Sequence, residues 1–301
     1  MQRIPRALGS ILIAFQSLIG LAPQVLACAS CGSGGEDPLI LYPNEGRKAY
    51  ASWSRAAGFR NIEPNGAQAT AGGPSTKDSL VAAVGQRLSL RSFATLTLPF
   101  LRNARGSDSR SSLGDPILAA RYTLVMANLA DPWVPQVQLV ASFKQALARS
   151  LRESHEPTLI DVFGSGFSEA RAGVDLWYGE GAVKFGGAQS VIVPLARRFD
   201  GERYQPGLGS RGTLTLGYSW IDAAKTLVGI NRDQRAALSL EGEELTDSEQ
   251  VSTSVFLTQD YRPDEDQMLR LTWSRQAALG ENRNTARSNT ITLAYMRRID
   301  H

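Results

Sequence analysis

Short segments in which apolar and polar residues alternate recur along this chain, and they constrain its fold more than any other feature. The stretch of residues 92–125 shows the pattern clearly. In its first arm Leu96, Leu98 and Phe100 fall on one face, and threonines fall on the other. Period-two alternation is typical of a β-strand that has one apolar face.

The second arm of this stretch, residues 117–124, alternates in the same way. The connection between the arms, residues 103–113, is rich in Arg, Ser, Asp and Gly, and it is predicted to be a solvated loop. Each arm is about ten residues long, which suits a tilted strand that crosses a bilayer. The stretch therefore predicts a hairpin of a transmembrane β-barrel.

About twelve strands of this kind are predicted from residue 48 onward, and long polar connections alternate with tight turns between them. A soluble β-sandwich has no reason to sort its connections by length. Outer-membrane barrels do sort them, because short periplasmic turns face long external loops. The predicted fold is all-β: a transmembrane, antiparallel up-and-down β-barrel of about 12 strands in a bacterial outer membrane, formed by residues 48–301.

Aromatic residues near the ends of the predicted strands support a membrane location. Tyr and Trp are enriched at the two interfaces between a membrane and water, where one side of the ring is apolar and the other is wet. The residues predicted to form such an interfacial girdle are Tyr218, Trp220, Tyr261, Trp273 and Tyr295.

The N-terminus has the layout of a secretory signal peptide. Arg3 and Arg6 precede an apolar run over residues 7–22, and a small residue follows at Ala27. We expect residues 1–27 to be removed, which leaves residues 28–47 as a periplasmic N-terminal segment. Within this segment the apolar patch of residues 37–43 could sit against the mouth of the barrel or plug it.

Cys28 and Cys31 form a Cys-Ala-Ser-Cys motif directly after the signal segment. Haem attachment is excluded, because Gly32 stands where that motif requires His. Three fates remain open: a disulfide in an oxidising compartment, a lipid on Cys28, or a metal site completed by other ligands.

Composition excludes some functional classes. The formal charge is only +3, with no concentrated basic face, so nucleic acid is not an expected partner. His155 lies in a polar loop beside Glu153 and Glu156, and His301 is the terminal residue, so a Ser–His membrane phospholipase site is rejected. We expect neither an enzyme nor a cofactor.

The predicted inward positions carry a mostly basic set of charges. Unpaired, these charges would line an open lumen and attract anions. Paired with each other and with Asp115 or Asp260, they would fill a closed one, and a barrel of about twelve strands allows both. The predicted lumen-lining residues are Arg87, Arg121, Lys144, Arg171, Asp175, Arg211 and Arg270.

Two motifs add a family resemblance. Leu96-Thr97-Leu98-Pro99-Phe100, followed by Gly114-Asp115-Pro116 and Arg121-Tyr122, resembles the outer-membrane barrels of the meta-pathway phenol-degradation and putative transporter family. The resemblance is clear over residues 92–122 and weaker in the later hairpins. It implies an outer-membrane barrel with a transport role and says little about the cargo.

The leading functional hypothesis is therefore a passive channel or transporter for small molecules. Its expected partners are outer-membrane lipids and the barrel-assembly machinery. The alternative hypothesis is a structural, non-conducting barrel that self-associates into homo-oligomers with membrane lipid.

Overall fold

A computed structural model of the protein describes Leu39, Leu41 and residues 45–70, 73–126, 134–180, 182–221 and 223–299. The predicted signal peptide and the cysteine pair, Cys28 and Cys31, lie outside these residues, as does His301. In the described part the chain forms strands almost throughout, and the only helix there is a short 3-10 helix at Leu151–Glu153. No helix among the described residues is long and apolar enough to cross a membrane.

Twelve long strands close into an antiparallel barrel. The barrel strands are β1, β3, β4, β6, β7, β8, β9, β12, β13, β16, β17 and β18, and the barrel closes because β18 pairs with β1. In chain order the strands are β1 (Arg47–Ile62), β2 (Gln68–Thr70), β3 (Thr76–Ser89), β4 (Ser92–Arg105), β5 (Asp108–Leu113), β6 (Ile117–Val125), β7 (Gln136–Lys144), β8 (Glu169–Glu180), β9 (Val183–Pro194), β10 (Arg197–Phe199), β11 (Glu202–Gln205), β12 (Gly209–Ile221), β13 (Ala224–Arg235), β14 (Ser239–Leu240), β15 (Glu243–Glu244), β16 (Gln250–Tyr261), β17 (Gln267–Gln276) and β18 (Thr285–Arg298). The predicted fold and strand number are confirmed.

The two faces of each barrel strand differ in polarity. On β4, Leu96 and Leu98 are 41% and 48% exposed on the outside, whereas Thr95 and Thr97 are 2% and 5% exposed on the inside. The outer surface is thus apolar and the interior is polar, the reverse of a soluble domain. An apolar surface of this extent needs an apolar environment to cover it.

The connections differ between the two ends of the barrel. At one end, here called the turn end, they are short, as at Leu90 and Arg91 between β3 and β4. At the other, here called the loop end, they are long, as in residues 145–168 between β7 and β8. The predicted alternation holds for most connections, but the turn-end connection of residues 126–135 is longer than the loop-end connection of residues 277–284.

The prediction of a solvated loop over residues 103–113 was wrong. Strand β4 continues to Arg105, and β5 folds back on it from Asp108, with Gly106 at φ +60° in the turn. The hairpin continues the strand ladder beyond the barrel rim, where water meets both faces. A strand with two wet faces has no apolar alternation, so the sequence pattern could not reveal it.

Two other long connections, residues 195–208 and 236–249, pack together instead of extending as separate loops. Strands β10, β11, β14 and β15 form a small four-stranded sheet at the loop end. Phe199, Tyr204 and Leu238 form a buried cluster, in which the rings of Phe199 and Tyr204 meet edge to face at 5.8 Å. The loop end is therefore an ordered cap with its own apolar core.

Gly229 gives a test of interior packing. A Cβ atom at this position on β13 would collide with the ring of Phe256 and lie 2.6 Å from the main-chain oxygen of Leu214. We expect Gly229→Ala to lower the free energy of unfolding by about 1–3 kcal/mol, because the backbone cannot move aside freely. The measurement is the urea dependence of the fraction that migrates as folded barrel in unboiled gels.

Gly187→Ala is the matched control for this prediction. At Gly187 the nearest side-chain atom would lie 3.6 Å from the new Cβ, which is an ordinary contact. An equal loss of stability in both variants would contradict the packing argument.

Candidate channel interior

Ion pairs link strands inside the barrel. Asp260 on β16 accepts hydrogen bonds of 2.7 and 3.0 Å from the guanidinium of Arg270 on β17. The ammonium of Lys225 on β13 lies 3.4 Å from the same carboxylate, which is 3% exposed. One buried carboxylate is thus shared by cations on both neighbouring strands, which compensates the cost of removing its charge from water.

Two further pairs lie on the same interior face. Arg121 on β6 forms an ion pair with Asp175 on β8, across the intervening strand β7. Arg211 on β12 pairs with Asp233, its register partner on β13. The side chains of Arg121 and Asp175 are 9% and 15% exposed, so this pair is largely withdrawn from water.

A network around Glu169 connects strands that are not neighbours. Glu169 begins β8, and its side chain is 4% exposed. The ammonium of Lys144 on β7 lies 3.0 Å from it. Arg235 on β13 donates to both of its carboxylate oxygens at 2.6 and 3.1 Å. Because β9 and β12 separate β8 from β13, this bridge spans a chord of the barrel at the loop end.

The predicted lining residues differ in their contacts. Those that form ion pairs on the interior face are Arg121, Lys144, Asp175, Arg211 and Arg270. Arg171 is half-buried on the interior face of β8, opposite Ile192. Arg87 lies at the turn end and donates to main-chain carbonyls, including that of Glu45 at 2.7 Å. Much of the predicted basic charge is therefore compensated by carboxylates.

Asp115 has a different role from the ion-pair partner considered above. Its carboxylate accepts hydrogen bonds from the main-chain N–H groups of Leu147 and Ala148 at 3.0 and 2.9 Å. Both belong to the long connection of residues 145–168. Asp115 thus holds the start of this connection, which leads from β7 into the barrel.

Asn103 holds the same connection from another strand. It lies on the interior face of β4 and is 2% exposed. Its amide donates to the carbonyls of Ile160 and Val162 at 3.1 and 2.7 Å. The connection, here called the inward loop, therefore folds against the inner wall and narrows the loop end. Ile160 is only 1% exposed, and the apolar residues around it are the sequence signal that a purely polar loop prediction missed.

The turn end is narrowed by the chain that precedes β1. Leu39 and Leu41 are 0% and 3% exposed. Leu39 belongs to a buried cluster with Ala83 and Met296, which lie on the interior faces of β3 and β18. A Cβ atom at Gly85 would lie 2.5 Å from Leu41. Of residues 37–43 the structure describes Leu39 and Leu41, and both contact the interior face of the barrel at the turn end.

A polar cleft of about 640 Å³ opens at the loop end between the β4–β5 hairpin and the inward loop. Three ion pairs line it: Arg110 with Glu156 at 2.8 Å, Arg149 with Asp161 at 3.0 Å, and Arg197 with Glu153 at 2.6 Å. His155 also lines the cleft. No group of His, Cys, Asp and Glu side chains suited to a metal occurs among the residues that the structure describes.

Burial and hydrogen bonding act in opposite directions on Asp161. Burial raises the pKa of this carboxyl, but hydrogen bonds from the Ser154 hydroxyl, the His155 main-chain N–H and the Arg149 guanidinium outweigh burial. The pKa of Asp161 is therefore lower than its ordinary value. The charged form is the one that holds this part of the inward loop together.

Four of the five predicted interface aromatics lie at the turn end. Tyr218, Trp220 and Tyr261 are 44%, 66% and 49% exposed on the outer surface. Tyr295, near the end of β18, donates its hydroxyl to Gln267 at 2.8 Å. Trp273 lies apart from them, opposite Leu257, farther along the wall towards the loop end.

Comparison with known proteins shows similarity at the level of fold. No family model and no curated protein matches the sequence. The COG4313 outer membrane channel from Pseudomonas putida F1 has a TM-score of 0.67 at 15% identity, over 88% of this chain and 98% of that one. Weaker likenesses are to the KdgM porin (TM-score 0.45, 7% identity, 83% and 99% covered) and to a Pseudomonas aeruginosa FadL homologue (0.42, 9%, 93% and 100%). At 15% identity the likeness to the COG4313 channel shows a shared barrel fold, and the family suggested by the sequence motifs stays a prediction.

Asn103 provides a test of the inward loop. Asn103→Ala removes both donors from buried carbonyls, so we expect residues 159–163 to exchange their amide hydrogens at least roughly tenfold faster, since each lost buried hydrogen bond costs about 1–3 kcal/mol. Hydrogen–deuterium exchange with mass spectrometry measures this. Asn289→Ala, at an exposed asparagine on β18, is the control and should leave these rates unchanged; equal rates in both variants would contradict the anchoring role.

The lowered pKa of Asp161 predicts how the inward loop responds to acid. Because its folded-state pKa is depressed, its contribution to loop stability is present above the ordinary value of 3.8 and is lost as pH falls through the lower folded value. We expect a spin label at the exposed position Leu147 to become more mobile only below about pH 4. In Asp161→Asn that acid transition should weaken, and an unchanged transition would assign it to another group.

Proposed function

We propose that this protein is an outer-membrane channel through which small molecules diffuse. The observation that carries the proposal is a closed twelve-stranded barrel with an apolar outer wall and a polar, charged interior. Such a wall suits lipid, and such an interior suits water and polar solutes. The shared fold with the COG4313 channel supports the same reading.

In this proposal the turn end faces the periplasm and the loop end faces outward, because bacterial barrels keep their short connections inside. The N-terminal segment then enters from the periplasmic side. Insertion would involve the barrel-assembly machinery, and lipids would cover the apolar wall.

The conduit is narrow at both ends. The inward loop and the Glu169 bridge occupy the loop end, and Leu39 and Leu41 occupy the turn end. Two interior carboxylates, those of Asp260 and Glu169, each face two cations, so the interior ion pairs leave a positive excess along the path. We therefore expect small conductance with a preference for chloride over potassium, since an unbalanced field gives selectivity.

The second candidate is a structural barrel that does not conduct and self-associates into homo-oligomers. The burial of Leu39 and Leu41 inside the barrel favours it. Conductance of purified protein in planar bilayers separates the two functions. Discrete steps support the channel, and a reversal potential shifted towards chloride in a KCl gradient supports the positive excess, whereas silence of every variant would support the structural barrel.

Leu39 and Leu41 supply the sharpest variant for this experiment. In Leu39→Gln/Leu41→Gln the N-terminal segment loses its apolar contacts with Ala83 and Met296, so we expect it to leave the lumen and conductance to rise at least about twofold. Leu90→Gln, at a turn residue that is 73% exposed, is the control. Unchanged conductance in a double variant that still conducts would show that the segment does not limit flow.

A further inference from the structure

A groove of about 220 Å³ crosses the outside of the barrel wall over β9, β12, β13 and β16. Leu214 and Ile230 line its apolar side, and the apolar surface continues towards the turn end through Leu216. Gly212 lies eight residues before Trp220 on β12, on the side of the loop end. At a strand tilt of about 40° this spacing covers roughly 20 Å of an apolar band about 25 Å tall. The groove therefore lies near the loop-end boundary of the band.

The groove depends on a position without a side chain. A Cβ atom at Gly212 would lie 2.9 Å from the amide oxygen of Gln189 on the neighbouring strand. Arg232 on β13 is the register partner of Gly212, and Thr253 on β16 is the register partner of Arg232. The missing side chain at Gly212 thus leaves room beside an outward guanidinium.

Arg232 differs from the arginines inside the barrel. Arg211 and Arg270 form ion pairs with carboxylates. Arg232 is exposed, and its contact within the described residues is with a neutral amide: in the orientation that satisfies both groups, Gln234 accepts from its Nε and Nη2 atoms at 3.0 Å each. The groove therefore presents a positive charge that a neutral partner holds in place but does not compensate.

Thr253 supplies a second, independent observation. It lines the groove and is 5% exposed, and its Oγ1 atom finds no hydrogen-bond partner among the described residues. Its main chain is fixed, because its N–H donates to Asn282 at 2.7 Å and its carbonyl accepts from Ala278 at 2.8 Å. A buried hydroxyl without a partner is costly, and rotation of the Thr253 side chain towards a ligand atom in the groove would remove that cost.

We propose that this groove binds the phosphate monoester headgroup of an anionic glycolipid of the outer leaflet. A guanidinium, a hydroxyl and two amides converge where a headgroup meets its acyl chains, and guanidinium groups bind phosphate through paired hydrogen bonds. The apolar side at Leu214 and Ile230 contacts the first part of a chain. This assignment rests on the membrane orientation given in the proposed function, but not on conduction.

A lipid fits this groove better than a second copy of the chain. The groove has the volume of a headgroup fragment, and its uncompensated guanidinium requires an anion. The rest of the surrounding wall is ordinary apolar barrel surface. Leu216 and Val228, next to the groove, are 51% and 44% exposed, as lipid-facing residues of a barrel are.

The test is native mass spectrometry of the purified full-length barrel with three probes: lipid A carrying both phosphates, lipid A without phosphate, and phosphatidylcholine. We expect a retained adduct with the phosphorylated probe alone. Arg232→Gln should reduce its retained fraction roughly tenfold, as loss of a charged hydrogen bond predicts, and Thr253→Val should reduce it less. Arg275→Gln, at an exposed arginine on β17 outside the groove, should leave retention unchanged.

Other outcomes overturn the proposal. Equal retention by Arg232→Gln and Arg275→Gln would place the lipid elsewhere on the wall, and equal binding of dephosphorylated lipid A would exclude the headgroup. If the retained adduct is a second copy of the chain instead of lipid, and Arg232→Gln loses that adduct, the groove is a protein interface. Migration as folded barrel in unboiled gels confirms that each variant is assembled. Conductance should not change in Arg232→Gln, because the groove lies outside the lumen, so failure of the channel and failure of the lipid site are separate results.

Discussion

The pairing of β1 with β18 is the interaction on which the rest of the structure depends. It runs from Lys48 opposite Arg298 to Ile62 opposite Thr285 and leaves the barrel without a free edge. In lipid an unpaired strand edge would expose main-chain polar groups that nothing could satisfy. Closure therefore makes a wall of strands compatible with lipid, and it also creates an interior that is separated from it.

That interior determines how charges are arranged. Lys, Arg, Asp and Glu side chains on the inner face lie close together in a confined space, and an isolated one would be costly. Asp260 between Lys225 and Arg270, and Glu169 between Lys144 and Arg235, show the solution. The same pairs that stabilise the interior also reduce the net electrostatic field along it.

Sequence alternation was enough to predict the strands because each outer face meets a uniform apolar surrounding, which leaves a regular trace in the chain. Alternation could place Arg121 and Asp175 inside the barrel. It could not show that they pair with each other, because they lie on different strands. Strand β5 was missed because both of its faces are wet. The anchoring of the inward loop by Asn103 was missed because a single polar residue on an inner face gives no sign of what it holds.

Departures from alternation carry information that the regular pattern does not. A barrel strand tolerates any apolar residue on its outer face, so Arg232 and the buried hydroxyl of Thr253 on that face are not explained by the requirements of folding. Gly212 on β12 lies between Gln189 and Arg232 on the neighbouring strands, and it has no side chain where lipid contact would favour a large one. Three such departures adjoin in register on β12, β13 and β16. Arg275 and Asn289 on β17 and β18 are also outward, polar and adjacent in register, but neither lines this groove. A bound polar group at the membrane boundary accounts for the three departures that do line it.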